Sequence, residues 1–280
     1  MPHTKSLPNL LSHALSAMDT VRETFLHHYG NQPDWTLKHE RDPVSQVDVA
    51  IERAIRAALL SAFPDIPVAG EELEQHPQKG CRMYWTIDPI DGTVNYLQHA
   101  PLCGISIGLI LDDVSVLGIL DFPVLNKRYV GGKGILPSIN GVPLETAAPV
   151  GTNSPDISQC VIAVGDYATG PNSVQDNQAK LCLHRLLANR AYRVRMLGSA
   201  ALDLAWTASG QFGGCITLVN NSWDMAAGVA IAQASGVYVV DVDGSTYSTR
   251  SRYVIASRHL GILAELCAMV QQATQPPTLP

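Results

Sequence analysis

Residues 85–96 read Trp-Thr-Ile-Asp-Pro-Ile-Asp-Gly-Thr-Val-Asn-Tyr, an apolar, strand-like run that ends in two carboxylates three residues apart. Pro89 fixes its own φ and favours an extended Asp88, whereas Gly92 allows a sharp turn and the close approach of a ligand. Thr93 can begin a helix whose free N–H groups point into the same space. The stretch therefore combines anionic oxygen donors with an anion-binding turn, which suits a divalent metal that holds a phosphate ester.

The hydrophobic pattern on both sides of this stretch predicts a mixed α/β protein. Amphipathic periodicity predicts helices over residues 7–28, 46–62, 172–189, 199–209, 223–235 and 260–272. Apolar and β-branched runs predict strands over residues 66–69, 82–87, 104–111, 114–121, 127–131, 161–164, 193–197, 212–218, 237–242 and 253–256. The first half favours antiparallel pairing, and the second half alternates strands with helices. A polar segment over residues 146–158 looks like a junction, so we predict one domain over residues 1–280 with two lobes, roughly 1–150 and 151–280.

Composition limits the classes of function. The 280 residues are 46% hydrophobic and 16% charged, with a net charge of -6 and no long basic run, which argues against nucleic acid as a partner. The N-terminus does not have the pattern of a secretion signal, and the apolar run over residues 105–111 is too short to span a membrane. The six cysteines are scattered, as is typical of reduced thiols. We therefore expect a cytoplasmic protein with no membrane partner and no zinc or redox site.

Three further acidic sites stand at the boundaries of predicted elements. Glu71 follows a short strand and a glycine, Asp224 lies at the start of an alanine-rich helix, and Asp48 lies in the first turn of the second helix. Taken singly, each has an ordinary explanation as a solvated loop residue or a first-turn helix acid. Taken with Asp88 and Asp91, they can converge at one edge of a sheet. Three or four carboxylates would suit two or three Mg²⁺ ions that also bind substrate phosphate.

These segments resemble the sequence signatures of the inositol monophosphatase family, which are metal-dependent, lithium-sensitive phosphomonoesterases related to fructose bisphosphatases. Residues 88–95 are similar to the signature Asp-Pro-Ile/Leu-Asp-Gly-Thr-x-Asn, and residues 223–228 to Trp-Asp-x-Ala-Ala/Gly-Gly. Residues 42–48, 70–72 and 106–108 match further elements in the family's order, and the similarity covers roughly residues 7–269. The resemblance implies a layered αβαβα sandwich of the sugar-phosphatase type that acts on a small phosphorylated metabolite as a homodimer.

The resemblance also implies which residues act on the metal and the phosphate. The implied ligands of two or three Mg²⁺ ions, with Asp88 bridging two of them, are Glu71, Asp88, the carbonyl of Ile90, Asp91 and Asp224. The implied catalytic residues are Asp48, Glu71 and Thr93, of which Asp48 and Thr93 would orient the attacking water. The implied phosphate and substrate contacts are Asp91, Gly92, Thr93, Ser199, Ala200 and Asp224. Glu72 would support Glu71 from the next position.

Four positions leave alternatives open. Ser199 and Ala200 match a segment that contacts substrate hydroxyls in the family, but the start of a helix explains them equally well. Lys38 lies near the position of a family lysine, but its loose spacing favours a place on the surface. Thr217 stands where inositol-acting members usually carry an acidic residue, and a hydroxyl accepts fewer hydrogen bonds from substrate than a carboxylate does.

We therefore expect a Mg²⁺-dependent hydrolase of small phosphate monoesters, with inositol 1-phosphate as the default substrate by resemblance. Because Thr217 puts inositol itself in doubt, histidinol phosphate, fructose 1,6-bisphosphate and 3′-phosphoadenosine phosphate are alternatives. A regulatory binding protein that retains the fold is an alternative of another class. A degraded set of metal ligands would favour that alternative, and here the set is complete.

Overall fold

A computed structural model describes residues 5–31, 34–39, 42–73, 80–144, 156–169 and 173–275. Its helices are α1 (Leu7–Tyr29), α2 (Gln46–Ala62), α3 (Thr93–Leu97), α4 (Ser173–Ala188), α5 (Ala200–Ala208), α6 (Ser222–Ala234) and α7 (Leu260–Thr274). Its strands are β1 (Trp35–His39), β2 (Asp42–Ser45), β3 (Val68–Gly70), β4 (Met83–Asp91), β5 (Gly104–Leu111), β6 (Val114–Phe122), β7 (Lys127–Gly132), β8 (Ile135–Ile139), β9 (Val142–Pro143), β10 (Val161–Val164), β11 (Arg193–Arg195), β12 (Gly214–Thr217), β13 (Tyr238–Val240) and β14 (Val254–Ser257).

The strands form three sheets. The largest has the order β3-β4-β5-β6-β7-β8-β9, and every neighbouring pair in it is antiparallel except β3 and β4. The second has the order β11-β10-β12-β14-β13, in which β10 is parallel to both of its neighbours and β14 is antiparallel to both of its own. The strands β1 and β2 form a separate hairpin. The division of the chain into two lobes stays a prediction.

The helices and the two large sheets stack in five layers. The helices α1 and α2 pack on one face of the seven-stranded sheet, and α5 and α6 lie between the two large sheets. The helices α4 and α7 cover the outer face of the five-stranded sheet. The predicted αβαβα sandwich is therefore confirmed. In the described ranges, no helix is both long and apolar enough to cross a membrane.

Helix α6 lies unusually close to the seven-stranded sheet because glycines face it. A Cβ atom on Gly118 of β6 would lie 2.1 Å from the carbonyl oxygen of Ala227, and one on Gly108 of β5 would lie 2.8 Å from the Cβ of Ala226. At the start of α6, the Ser106 hydroxyl of β5 donates to the carbonyl of Trp223 at 3.3 Å. Since Ser106 pairs with Asp88 of β4, this packing brings the first turn of α6 next to the acidic end of β4.

The sequence pattern predicted six of the helices within two residues at each end, but it missed four strands. Trp35 and Leu37 of β1 are 55% and 56% exposed, both residues of β9 are exposed, and the buried positions of β2 are Pro43 and Ser45. Strands of this kind show no alternation of large apolar and polar residues in the sequence. Strand β4 also continues past its predicted end at residue 87, with a register shift between Asp88 and Asp91. Most of the predicted junction, residues 146–155, lies outside the described residues.

Candidate active site

The end of β4 turns sharply at Gly92. This residue has a φ of 82°, and a Cβ atom on it would lie 2.9 Å from the carbonyl oxygen of Leu102 and 3.0 Å from that of Gly198. Only glycine satisfies both the left-handed backbone and the close approach of these two carbonyls. Just before the turn, the carboxylate of Asp88 accepts a hydrogen bond from the N–H of Ile90 at 3.0 Å. The irregular end of β4 therefore directs its carboxylates into one region.

Three carboxylates from three elements meet in that region. One oxygen each of Glu71 after β3, Asp88 on β4 and Asp224 on α6 lie within 4.8 Å of one another. Burial, and then the negative charges of Glu71, Asp91 and Asp224, raise the pKa of Asp88 well above its usual value. Burial and the negative charges of Glu71 and Asp91 also raise the pKa of Asp224. Clustered carboxylates disfavour one another's charge unless a cation joins them, so this donor set fits a hard divalent cation.

Lys38 belongs to this site, so the prediction of a surface position was wrong. Its ammonium group donates to Glu71 Oε1 at 2.7 Å and to Glu72 Oε1 at 2.9 Å, and its side chain is 22% exposed. Burial alone would lower the pKa of Lys38, but Glu71 and Glu72 raise it above its ordinary value, so the ammonium stays protonated. The contact depends on the β1–β2 hairpin, which the sequence pattern did not predict.

Asp91 connects β4 to helix α5. Its Oδ1 accepts the N–H of Ala200 at 3.1 Å, and its Oδ2 accepts the N–H of Ala201 at 3.2 Å and the hydroxyl of Ser199. Burial raises the pKa of Asp91 to about 7, and these three hydrogen bonds oppose that rise. Asp91 is not among the three residues whose oxygens cluster within 4.8 Å. Its role as a metal ligand therefore stays a prediction.

Ser199 and Ala200 start a helix, as one of the two interpretations of this segment held. The hydroxyl of Ser199 caps α5 by accepting the N–H of Leu202 at 3.2 Å, and it also donates to Asp91. The N–H of Ala200 also donates to Asp91. Contact of these two residues with substrate stays a prediction.

Asp48 and Thr93 are in contact. Asp48 closes a capping box at the start of α2, where its Oδ2 accepts the N–H of Ser45 at 2.9 Å. Its Oδ1 lies 3.3 Å from the hydroxyl of Thr93, which is also 3.0 Å from the carbonyl oxygen of Ile90. Burial raises the pKa of Asp48 to about 6, against the hydrogen bonds from Ser45. The carboxylate is thus held rigidly, with one oxygen directed at Thr93.

Two asparagines position the site, and sequence reasoning gave neither of them a role. Asn95 donates from Nδ2 to the carbonyl of Leu102 at 2.8 Å and to that of Leu197 at 2.7 Å, which connects α3 to the segment before α5. Asn221 donates to Asp224 Oδ2 at 3.0 Å. Asn95 is the last residue of the signature over residues 88–95, and its place in that signature could have indicated a role in the site. Asn221 gave none.

Thr217, the departure from the acidic residue usual in inositol-acting members, ends strand β12. It is half-buried and lies next to the end of the parallel strand β10, where a Cβ atom on Gly165 would be 3.3 Å from Thr217 Cγ2. The carboxyl ends of neighbouring parallel strands share one edge of a sheet. Thr217 and residues 165–166 therefore line the same edge of the five-stranded sheet.

Comparison with known proteins agrees with this geometry. The model of the inositol monophosphatase family matches residues 7–275. A protein of Mycobacterium tuberculosis described as a probable inositol 1-monophosphatase, ImpA, is 34% identical over 248 residues, which are 88% of this chain and 88% of that protein. A fructose-1,6-bisphosphatase/inositol-1-monophosphatase of Aquifex aeolicus is 32% identical over 204 residues, which are 72% of this chain and 74% of that protein.

The fold is shared with solved structures as well. The crystal structure of the extragenic suppressor protein suhB from Bartonella henselae superposes with a TM-score of 0.82 at 26% sequence identity, over 94% of this chain and 98% of that chain. The family match spans nearly the whole chain, and three acidic residues of its signatures converge in space. The chain therefore belongs to the inositol monophosphatase family of phosphomonoester hydrolases.

Proposed function

We propose that this site hydrolyses a small phosphate monoester to an alcohol and inorganic phosphate, with Mg²⁺ held by Glu71, Asp88 and Asp224. The observation that carries the proposal is the approach of their oxygens to within 4.8 Å from three separate elements. Mg²⁺ requires oxygen ligands and usually combines a few carboxylates with phosphate oxygens of the substrate. Bound there, it would neutralise the charge of the phosphate and make a nearby water more acidic.

Two further ligands of the metal are part of the proposal. The carbonyl oxygen of Ile90 and the carboxylate of Asp91 come from the same irregular end of β4 as Asp88. With them, the chain would offer enough oxygen donors for two or three ions, and Asp88 would bridge two of them. The family resemblance supports this assignment.

The attacking water is oriented, in this proposal, by Thr93 and Asp48. When the Thr93 hydroxyl donates to Asp48 Oδ1, its oxygen lone pairs are free to accept a proton of the water. The rigid capping box supports this role because it fixes the carboxylate of Asp48. The N–H groups of Gly92 and Thr93 would bind phosphate oxygens at the turn after β4.

The default substrate that we propose is inositol 1-phosphate, because the family and the relative from M. tuberculosis carry that name. Fructose 1,6-bisphosphate is an alternative, since the relative from A. aeolicus is named for both activities. Histidinol phosphate and 3′-phosphoadenosine phosphate are further alternatives because Thr217 is not acidic. Substrate hydroxyls would lie near Ser199 and Ala200. A homodimer, lithium sensitivity and a cytoplasmic location stay predictions from the sequence.

The experiment that tests the proposal measures phosphate release from a panel of these monoesters, with Mg²⁺ and with a chelator. We expect release that depends on Mg²⁺ in the wild type and a loss of at least about a hundredfold in Asp88→Asn, since metal-assisted charge stabilisation is removed. The control Asp112→Asn alters an exposed carboxylate that pairs with Arg82 and should leave the rate unchanged. No release from any substrate, or full activity of Asp88→Asn, would contradict the proposal and favour the regulatory alternative.

A further inference from the structure

A buried ion pair on helix α2 lies beneath the loop that carries Glu71. Glu52 is 0% exposed and Arg56, one turn later, is 7% exposed. The guanidinium of Arg56 donates from Nη2 to Glu52 Oε1 at 2.6 Å, and from Nη1 to the carbonyl oxygen of Val68 at 2.6 Å. The pair is therefore attached to strand β3 immediately before the loop.

The second oxygen of Glu52 binds the loop beyond Glu71. Glu52 Oε2 accepts the N–H of Glu72 at 2.7 Å and the N–H of Leu73 at 3.3 Å. Glu71 itself donates its N–H to the carbonyl of Ile87 on β4 at 3.2 Å. The backbone is thus held before, at and after Glu71, and two of these three attachments come from the one ion pair.

Gly70 shows how closely the loop rests on this carboxylate. A Cβ atom on Gly70 would lie 2.0 Å from Glu52 Oε1 and 2.3 Å from its Cδ. Glu52 is fixed by Arg56 and by the two N–H groups, so its side chain has little freedom to move away. Any side chain at residue 70 would therefore displace the loop or the ion pair.

A buried ion pair contributes little net stability to a helix, because the free energy of desolvating the two charges offsets much of their attraction. Here Arg56 Nη1 and Glu52 Oε2 both bond the backbone of the segment that presents Glu71. We propose that Glu52 and Arg56 are positioning residues, which hold the loop over residues 70–73 in the conformation that offers Glu71 to a metal ion. The inference rests on the proposed function, in which Glu71 is a metal ligand. Residues that orient metal ligands in this way typically contribute about tenfold to a hundredfold in affinity.

The test is Mn²⁺ binding to the full chain by isothermal titration calorimetry at a temperature well below unfolding. We expect Glu52→Gln to bind Mn²⁺ at least about tenfold more weakly than the wild type, since an amide cannot accept from both Arg56 and the loop. Gly70→Ala should weaken binding in the same direction without any change in charge. In activity assays, the Mg²⁺ concentration for half-maximal rate should rise more than the rate at saturating Mg²⁺ falls.

The matched control is Asp121→Asn. Asp121 is also 0% exposed and accepts from two arginines, Arg22 at 2.5 Å and Arg128 at 2.9 Å, but its partners belong to α1 and β7. Its variant should lose stability and keep Mn²⁺ affinity within about twofold of the wild type, because removing a buried charge partner acts on folding. Should Glu52→Gln fail to fold, Gly70→Ala carries the test alone.

Each outcome separates this inference from the proposed function. If the wild type binds no Mn²⁺, the proposed metal site is wrong. If the wild type binds Mn²⁺ and both Glu52→Gln and Gly70→Ala bind it equally well, the metal site stands and the positioning role is overturned. Equal weakening in the Asp121→Asn control would also overturn it, because the effect would then follow from lost stability.

Discussion

Asn95 illustrates how a single amide holds the catalytic region together. Its Nδ2 donates to the carbonyls of Leu102 and Leu197, which belong to the segments before β5 and before α5. An aspartate at this position would have the same shape, but its carboxylate has no N–H group to donate to the two carbonyl oxygens. The requirement at residue 95 is thus for a donor, and size alone does not satisfy it.

Asn95→Asp should therefore lower the free energy of unfolding by about 2–3 kcal/mol, since two carbonyls lose their donor and face a negative charge. Urea denaturation measures this loss. The same change at the exposed Asn140, which donates to the carbonyl of Asn126 at 2.9 Å, should cost less than about 1 kcal/mol. Equal losses at the two positions would show that Asn95 has no special structural role.

Because the carboxylate of Asp48 is buried, we expect the stability of the chain to depend on pH. Its pKa is raised by burial to about 6, above the ordinary value of 3.8. The folded chain therefore holds a proton that the unfolded chain releases, and the stability contributed by the protonated form is lost as pH rises through about 6. With metal removed by a chelator, the wild type should lose about 2 kcal/mol relative to Asp48→Asn between pH 4 and pH 7. Urea titrations of both proteins test this, and a difference that is constant with pH would refute it.

At the scale of elements, the position of α6 is set by the glycines of the sheet below it. Gly118→Ala would place a Cβ atom 2.1 Å from a backbone carbonyl of α6, and a backbone cannot rotate away as a side chain can. The helix must shift, and Asp224 in its first turn must shift with it. We expect a loss of about 1–3 kcal/mol in stability from overpacking, together with weaker Mn²⁺ binding.

The control for this prediction is Gly30→Ala at the end of α1. A Cβ atom there meets nothing within 4 Å, so stability and Mn²⁺ affinity should both stay close to wild type. Thermal unfolding and calorimetry of the two variants measure both quantities. Wild-type Mn²⁺ affinity in Gly118→Ala would mean that the metal site does not depend on the position of α6 on the sheet.

At the scale of the whole molecule, the site is assembled where several layers meet. Asp88 lies in the seven-stranded sheet and Glu71 directly after its strand β3. Asp224 lies in the helix layer between the sheets, and Asp48 in the outer helix layer. The three carboxylates that cluster within 4.8 Å therefore come from three separate parts of the chain. The sequence could predict the meeting because each residue stands at an element boundary beside glycine, proline or a small-residue helix.

The sequence could not predict contacts that depend on tertiary structure without leaving a local pattern. Lys38 contacts Glu71 from the β1–β2 hairpin, and 33 residues separate the two. Glu52 and Arg56 have the spacing of any salt bridge on one helix turn, so the pattern does not reveal that they hold the loop over residues 70–73. The long amphipathic helices were predicted well because buried faces repeat with the helical period.

In the proposed function, Glu71, Asp88 and Asp224 together hold the metal ion of a phosphatase. The most direct measurement is the anomalous scattering of a crystal of the wild-type chain soaked in Mn²⁺. We expect a strong anomalous peak within about 2.0–2.5 Å of oxygens from all three carboxylates, as for a divalent cation bound to oxygen. A well-ordered crystal with no peak among these carboxylates, or with Mn²⁺ bound only elsewhere, would contradict it.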